Sequence, residues 1–326
     1  MLLFQAIVLF IVGLLLLIKG GDWFVDGSTG VARRFHIPEI IVGATIVSIG
    51  TTLPEVMVSA TGALQGEGAM AYGNAIGSII CNTALIAALT IAIKPGPVDV
   101  KSLRMPVLFF FLSAGIYCFT AYTTGYFSRP LGYILLAIFV IYMILTIRLG
   151  MKNPVPDNQK VAVEELDPLW KELVLLIGGA AVIAVGANLL VNNGIIIADA
   201  MGVPESVIAL TFVALGTSLP ELVTAITSLI KGHSSLSLGN IIGANIFNLV
   251  LVSGVSVTLA PFQIPTASTL FGHNASLVLD VPVMLTVMVL LTIPALARKK
   301  LSRVQGIVLL SIYAVFCVLQ FTMFSV

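Results

Sequence analysis

Long apolar runs separated by short polar connections restrict this chain more than any other feature of its sequence. The runs fall near residues 2–28, 40–64, 70–93, 105–122, 130–148, 170–198, 206–230, 235–260, 276–297 and 304–325. A helix needs about 20 apolar residues to cross the hydrocarbon of a bilayer, whereas barrel strands alternate over about ten. Ten runs of this kind predict an all-α polytopic membrane protein with ten transmembrane helices. Charge is correspondingly scarce: 10% of the 326 residues are charged and 58% are apolar, against about 25% charged in a soluble domain. A net charge of +1 gives no electrostatic footprint for nucleic acid or acidic partners. The first run has no basic n-region and no A-x-A site, so it reads as a span and not as a cleaved signal peptide. Cys81, Cys118 and Cys317 lie in apolar runs with no CxxC or Cys/His spacing, which reads as small buried hydrophobes.

The longest polar connection, 150–169, is read as a cytoplasmic linker between a first five-helix repeat, 1–149, and a second, 170–326. With ten spans both termini share a side. Fourteen basic residues then fall in the connections after spans one, three, five, seven and nine, and only Arg129 falls on the other side. Lys19 sits within the end of span one, where its stem can snorkel. Basic residues are retained in the cytoplasm, so both termini are expected outside. Asp22 and Asp26 are expected to form a solvated or paired end with Lys19. Glu39 and Glu205, each after a proline, read as acids in a first helical turn.

Shifted by 166 residues, the chain matches itself. Gly43–Leu64, GATIVSIGTTLPEVMVSATGAL, meets Ala209–Ile230, ALTFVALGTSLPELVTAITSLI; Tyr72–Asn82, YGNAIGSIICN, meets Leu238–Asn248, LGNIIGANIFN. Gly13 and Gly20 meet Gly179 and Gly186. Each half has an odd number of spans, so the second copy enters the membrane upside down. Two inverted five-helix repeats place their shared motifs at one central site, the construction of many secondary transporters.

Glu55 and Glu221 are the only carboxylates near mid-membrane depth. An ionised carboxylate there costs at least ~2.5–3.5 kcal/mol, and a neighbouring one adds repulsion. A bound cation offsets that cost, as does a proton when the cation leaves. Pro54 and Pro220 precede the glutamates and release the carbonyls of Gly50 and Gly216, with a kink expected in each helix. Thr51 and Thr217 stand four residues before the glutamates on the same helical face, and Thr52 and Ser218 three before. Ser78 and Asn82 are four apart in the next span, and Asn248 matches Asn82. All these donors are oxygens, which suits calcium, magnesium or sodium and not zinc or copper. The threonines can alternatively bond back to a helix carbonyl, and the small GNxxG residues read first as close helix contacts. Asp280 is read as interfacial, and His36, His233 and His273 fall in connections without a metal or catalytic role.

GTxLPE and GNxxG, present twice at a constant shift, resemble the calcium/cation antiporter superfamily and specifically its compact prokaryotic sodium/calcium exchangers. The resemblance implies calcium between Glu55 and Glu221, helped by the carbonyls of Thr51 and Thr217. It implies sodium sites drawing on the hydroxyls of Thr51, Thr52, Thr217, Ser218 and Ser78, the carbonyls of Ser48 and Ala214, and the amide of Asn82. Asn248 stands where some relatives carry aspartate, and Ala244 where the family pattern has the serine matching Ser78. The resemblance also implies that spans one and six slide as a pair across the remaining helices.

The expectation is therefore an antiporter in the plasma membrane of a prokaryote that exports calcium against entering sodium. Its partners are those ions and the lipid bilayer, with no cofactor, no nucleic acid and a monomer as the working unit. The same fold coupled to protons is the nearest alternative. A passive channel and an intramembrane enzyme are weaker ones, since no oligomeric filter motif and no nucleophile stands out.

Overall fold

The computed structural model describes residues 2–152, 167–201, 216–266, 269–270 and 272–324. It is nearly all helical: α1 (Leu2–Arg34), α2 (Glu39–Leu64), α3 (Gly68–Ile93), α4 (Val100–Thr123), α5 (Arg129–Lys152), α6 (Leu169–Ala200), α7 (Leu219–Ile230), α8 (Ser234–Leu259), α9 (Ser276–Arg298) and α10 (Arg303–Phe324). Among the described residues nine of these are long and apolar enough to cross a membrane, and α7 is the described end of the seventh expected span. Most of the 150–169 linker, together with Glu205 and Ala214, lies outside the described residues.

Local sequence sets the helix ends. Arg33 and Arg34 occupy the last turn of α1, where cations complement the helix dipole, and Glu39 opens α2 directly after Pro38. Asp99 caps α4, its side chain accepting from the Lys101 amide at 3.0 Å. In α9, Pro294 cannot bond the carbonyl of Leu290, and Gln305 of α10 donates to that oxygen at 2.7 Å instead.

Two bodies can be distinguished by packing. α1 and α6 have 33 and 32 residues, which at about 1.5 Å per residue exceeds the ~30 Å hydrocarbon, so both tilt or protrude. Glycines bring their backbones together. A Cβ at Gly13 would lie 2.9 Å from the Gly186 carbonyl oxygen, one at Gly179 2.9 Å from the Gly20 carbonyl oxygen, and one at Gly27 2.4 Å from the Leu176 nitrogen. The first two contacts exchange under the 166-residue shift, as an inverted pair requires. Arg34 and Glu172 tie the same two helices with a 3.3 Å ion pair.

The other helices surround α8, in which every residue from Leu236 to Phe247 is buried. A helix enclosed on all sides needs no solvated face, and the polar side chains it buries, Ser237, Asn240 and Asn245, point into protein. Tyr126–Phe127 (β1) pairs antiparallel with Phe262–Gln263 (β2), joining the connections after α4 and α8. At the opposite end the Val98 amide donates to the Lys299 carbonyl at 3.0 Å, joining those after α3 and α9.

One surface expectation is corrected. Asp22 and Asp26 pair with Lys231 after α7, at 3.4 and 2.8 Å, and not with Lys19. The Lys19 ammonium instead lies 5.8 Å from the Trp23 ring centre. Asp22 and Asp26 are one helical turn apart, so a lysine from a neighbouring helix reaches both at once, a partnership invisible to local spacing.

Gly27→Leu is expected to separate α1 from α6 and destabilise the protein by about 1–3 kcal/mol. Gly115→Ala, where a Cβ meets nothing within 4 Å, should leave stability unchanged. Thermal unfolding of the purified protein in detergent measures both, and equal melting temperatures for the two variants would contradict the glycine contact.

Candidate functional site

The helices bearing the duplicated motifs are not uniform. A π-helical stretch, Gly43–Val47, precedes the GTTLPE segment, and two more begin at the matching asparagines, Asn82–Ala87 and Asn248–Val252. Such stretches insert a residue into the helical ladder and free a carbonyl, and they concentrate at functional positions. Tyr142 of α5 donates to one carbonyl in the first stretch, that of Ala44, at 2.7 Å.

The two prolines act differently. α2 remains helical through Pro54, whereas α7 starts only at Leu219, with Thr217 and Ser218 in a turn and Pro220 in the first turn. The break expected at both prolines is thus seen as a change of conformation only in the second half. Pro suits a first turn, where its missing N–H has no intrahelical partner to lose. Glu221 consequently sits at a helix N-terminus, where the dipole favours negative charge.

Glu55 and Glu221 are both 0% exposed, and among the described residues none of their four carboxylate oxygens has a hydrogen-bond partner. The two groups lie within electrostatic reach of one another. The hydroxyls of Thr51 and Thr52 face the Glu221 carboxylate without closing to hydrogen-bond distance. Thr52 Oγ1, Asn82 Oδ1 and Asn248 Oδ1 are likewise buried and unpartnered. Seven oxygens from five of the sequence-nominated residues are therefore left unsatisfied in a buried region. A polar group buried without a partner is unfavourable, and a hard cation of six to eight oxygen ligands satisfies several at once. Among the described residues no three His, Cys, Asp or Glu side chains gather, so the donors here are two carboxylates and neutral oxygens.

The remaining nominated residues are placed as follows. Ser218 Oγ approaches Ser78 Oγ at 3.5 Å across the two halves. The Asn248 amide donates to the Ala244 carbonyl at 3.1 Å, leaving its oxygen free. Ser48 donates within its own π-helical turn, to the Gly43 carbonyl at 2.8 Å, and also faces Asn240. Ala214 lies outside the described residues. The Thr51 hydroxyl reaches Asn240 Oδ1 at 3.2 Å and the Thr217 hydroxyl reaches Asn74 Oδ1 at 3.1 Å, each an asparagine of the opposite half; the carbonyls to which Thr217 would bond back, those of Val213 and Ala214, lie outside the described residues.

Asn74 and Asn240 were missed by sequence reasoning. Their signal was present, since both are the N of a duplicated GNxxG, but the small residues around them drew the packing explanation. That explanation holds for the second copy: a Cβ at Gly239 would meet the Ile40 carbonyl at 2.2 Å, and one at Gly243 the Ala44 Cα at 2.6 Å. For Gly73 and Gly77 nothing described lies within 4 Å, and the matching positions Ser206, Leu210 and Ala214 lie outside the described residues. Asp280, expected at the interface, is half-buried in a π-helical turn and accepts from Gln320 at 2.7 Å. His233 of the α7–α8 connection pairs with Glu39 at 2.8 Å.

A cavity of about 840 Å³ lies between α6 and the motif helices, with Phe24 of α1 at its wall. Phe24, Leu53, Pro54, Ala180, Thr217 and Pro220 are among the residues that line it. α1 nevertheless touches α7 directly, where a Cβ at Gly21 would lie 2.7 Å from Val223 Cγ1.

An inverted-repeat membrane protein with a central, oxygen-lined carboxylate pair has the architecture of a secondary cation transporter. The profile describing sodium/calcium exchanger proteins matches residues 5–148 and 171–322, and the chain belongs to that family. It is 36% identical to the inner membrane protein YrbG of Escherichia coli over 79% of this chain and 81% of that protein. It is 29% identical to the sodium/calcium exchanger MaX1 of Methanosarcina acetivorans, over 95% and 97%. Among solved structures, the sodium-calcium exchanger NCX_Mj soaked with zero Na+ and Ca2+ superposes with a TM-score of 0.81 at 32% identity, covering 96% of this chain and 98% of that one.

An unpaired buried carboxylate destabilises the cation-free protein when ionised. Glu55→Gln and Glu221→Gln are therefore expected to raise the melting temperature measured in sodium-free buffer with chelator at neutral pH. A fall in both would show that the carboxylates have partners in the cation-free protein.

Proposed function

We propose that the chain is an antiporter that exports calcium from the cytoplasm in exchange for entering sodium, across the plasma membrane of a prokaryotic cell. The observation that carries this reading is the pair Glu55 and Glu221, one from each inverted half, wholly buried and, among the described residues, without a hydrogen bond on any carboxylate oxygen. Two carboxylates balance the charge of one calcium ion. Sodium needs neutral oxygens as well, and Thr51, Thr52, Thr217, Ser218, Ser78, Asn82 and Asn248 offer them, together with the carbonyls of Ser48 and Ala214.

Either occupant neutralises the same charges, so the ions compete for one cluster. The empty, deprotonated cluster keeps two unscreened charges and resists the change of access, which makes the cycle an exchange and not a leak. Alternation falls to the α1–α6 pair moving as a unit across the other helices. Its internal glycine contacts and the apolar cavity beside Pro54 and Pro220 support that division. In this reading the halves 1–149 and 170–326 are joined on the cytoplasmic side by 150–169, both termini face outward, and one chain suffices.

Ala244 in place of a second Ser78-like hydroxyl favours one rival, coupling to protons through the same carboxylates. Radioactive calcium uptake into inside-out vesicles separates the two. Uptake is expected to follow an outward-directed sodium gradient from lumen to bath and to be abolished by Glu55→Gln or Glu221→Gln. Uptake that ignores sodium and follows a pH gradient would overturn sodium coupling. For orientation, a cysteine placed at position 2 should react in intact cells with a membrane-impermeant thiol reagent; protection until lysis would reverse the assignment.

A further inference from the structure

Two asparagines lie between the halves in equivalent places. The Asn74 amide nitrogen donates to the Glu55 main-chain carbonyl at 3.3 Å and to Ser59 Oγ at 2.8 Å. A main-chain carbonyl can only accept, so the Asn74 atom facing it is nitrogen, and the other terminal atom, facing Thr217, is oxygen. Thr217 of the opposite half must then be the donor in the 3.1 Å contact with Asn74 Oδ1. Under the 166-residue shift the same contact recurs between Thr51 and Asn240 Oδ1 at 3.2 Å.

A hydroxyl has one proton and two lone pairs, and only a lone pair can face a cation. A threonine whose proton is committed elsewhere presents lone pairs alone to the remaining space. A threonine free to rotate spends part of its time with the proton turned inward, and coordinating a cation then costs the reorientation. The geometry points to Asn74 as a positioning residue of the cation site: it takes the proton of Thr217 from the opposite half and so holds that oxygen ready for sodium. The assignment rests on the exchanger reading above.

The two arms differ in their support. Asn74 is anchored by Ser59, whereas Ala225 occupies the matching position and the Asn240 amide nitrogen is buried without a partner. Nothing equivalent orients Asn240: Ser48, 3.2 Å from its Oδ1, has already given its proton to the Gly43 carbonyl. Ser59 thus belongs to the Thr217 arm alone.

A double-mutant cycle tests the assignment, with the half-saturating sodium concentration for calcium uptake into proteoliposomes as the readout. One hydrogen bond of this kind is worth about five-fold in affinity, so Asn74→Leu should raise the half-saturating sodium about five-fold. Thr217→Val should raise it at least as much, and the double variant should equal Thr217→Val alone, because the asparagine acts only through the threonine. No shift in Asn74→Leu, or shifts that multiply in the double variant, would overturn the assignment. If Asn74→Leu does not fold, Ser59→Ala serves instead: about a two-fold rise in the native background, and none in the Thr217→Val background. A rise that persists there would equally overturn it. Wild-type uptake indifferent to sodium is a different failure, sinking the exchanger reading and this assignment with it.

Discussion

The structure depends on one constraint: two carboxylates are wholly buried, and among the described residues no group hydrogen-bonds them. Everything around Glu55 and Glu221 serves to make that tolerable and useful. The π-helical turns at Asn82 and Asn248 and the broken start of α7 place unpartnered oxygens about the pair. Irregular backbone at membrane depth is permitted only where it is buried in protein, and α8, enclosed from Leu236 to Phe247, gives it that shelter. A site built this way, when ionised, is relieved by a bound cation, and under the proposed exchange that dependence on occupancy links the fold to function.

Inversion of the halves explains why a single cluster can serve both faces, and the departures from inversion are equally informative. Paired contacts survive the shift where they hold the machine together: Gly13 on Gly186 with Gly20 on Gly179, and Thr51 on Asn240 with Thr217 on Asn74. Contacts that do not survive it tune one arm against the other. Ser59 steadies Asn74 while Ala225 leaves Asn240 with an unused donor, and Ala244 lacks the hydroxyl that Ser78 supplies. Sodium must therefore meet unequal surroundings on the two sides of the carboxylate pair.

Much of this was legible in the sequence because the membrane enforces simple rules. Apolar length fixed the helices, and two glutamates stood out against a background almost without charge at that depth. The 166-residue shift alone groups Thr51, Thr52, Glu55, Ser78 and Asn82 with their counterparts. What escaped was the outcome of long-range choice. Lys231 reaches Asp22 and Asp26 from another helix, where local spacing offered Lys19. The asparagines of GNxxG were visible as repeated letters, but which neighbour accepts a threonine proton is decided by how two inverted helices approach. Pro54 and Pro220 share one motif, yet only the second sits in a helix's first turn, because a proline states which hydrogen bond is lost and not how the backbone relaxes around the loss.

The central claim is that calcium and sodium compete for one cluster built on Glu55 and Glu221. Equilibrium binding of radioactive calcium to the purified protein, measured as sodium is raised, tests it most directly. The account predicts one calcium per chain, displaced by sodium with a steepness greater than first order, and no binding to the Glu55→Gln/Glu221→Gln double variant. Calcium retained by that variant, or bound to the native protein without regard to sodium, would contradict it.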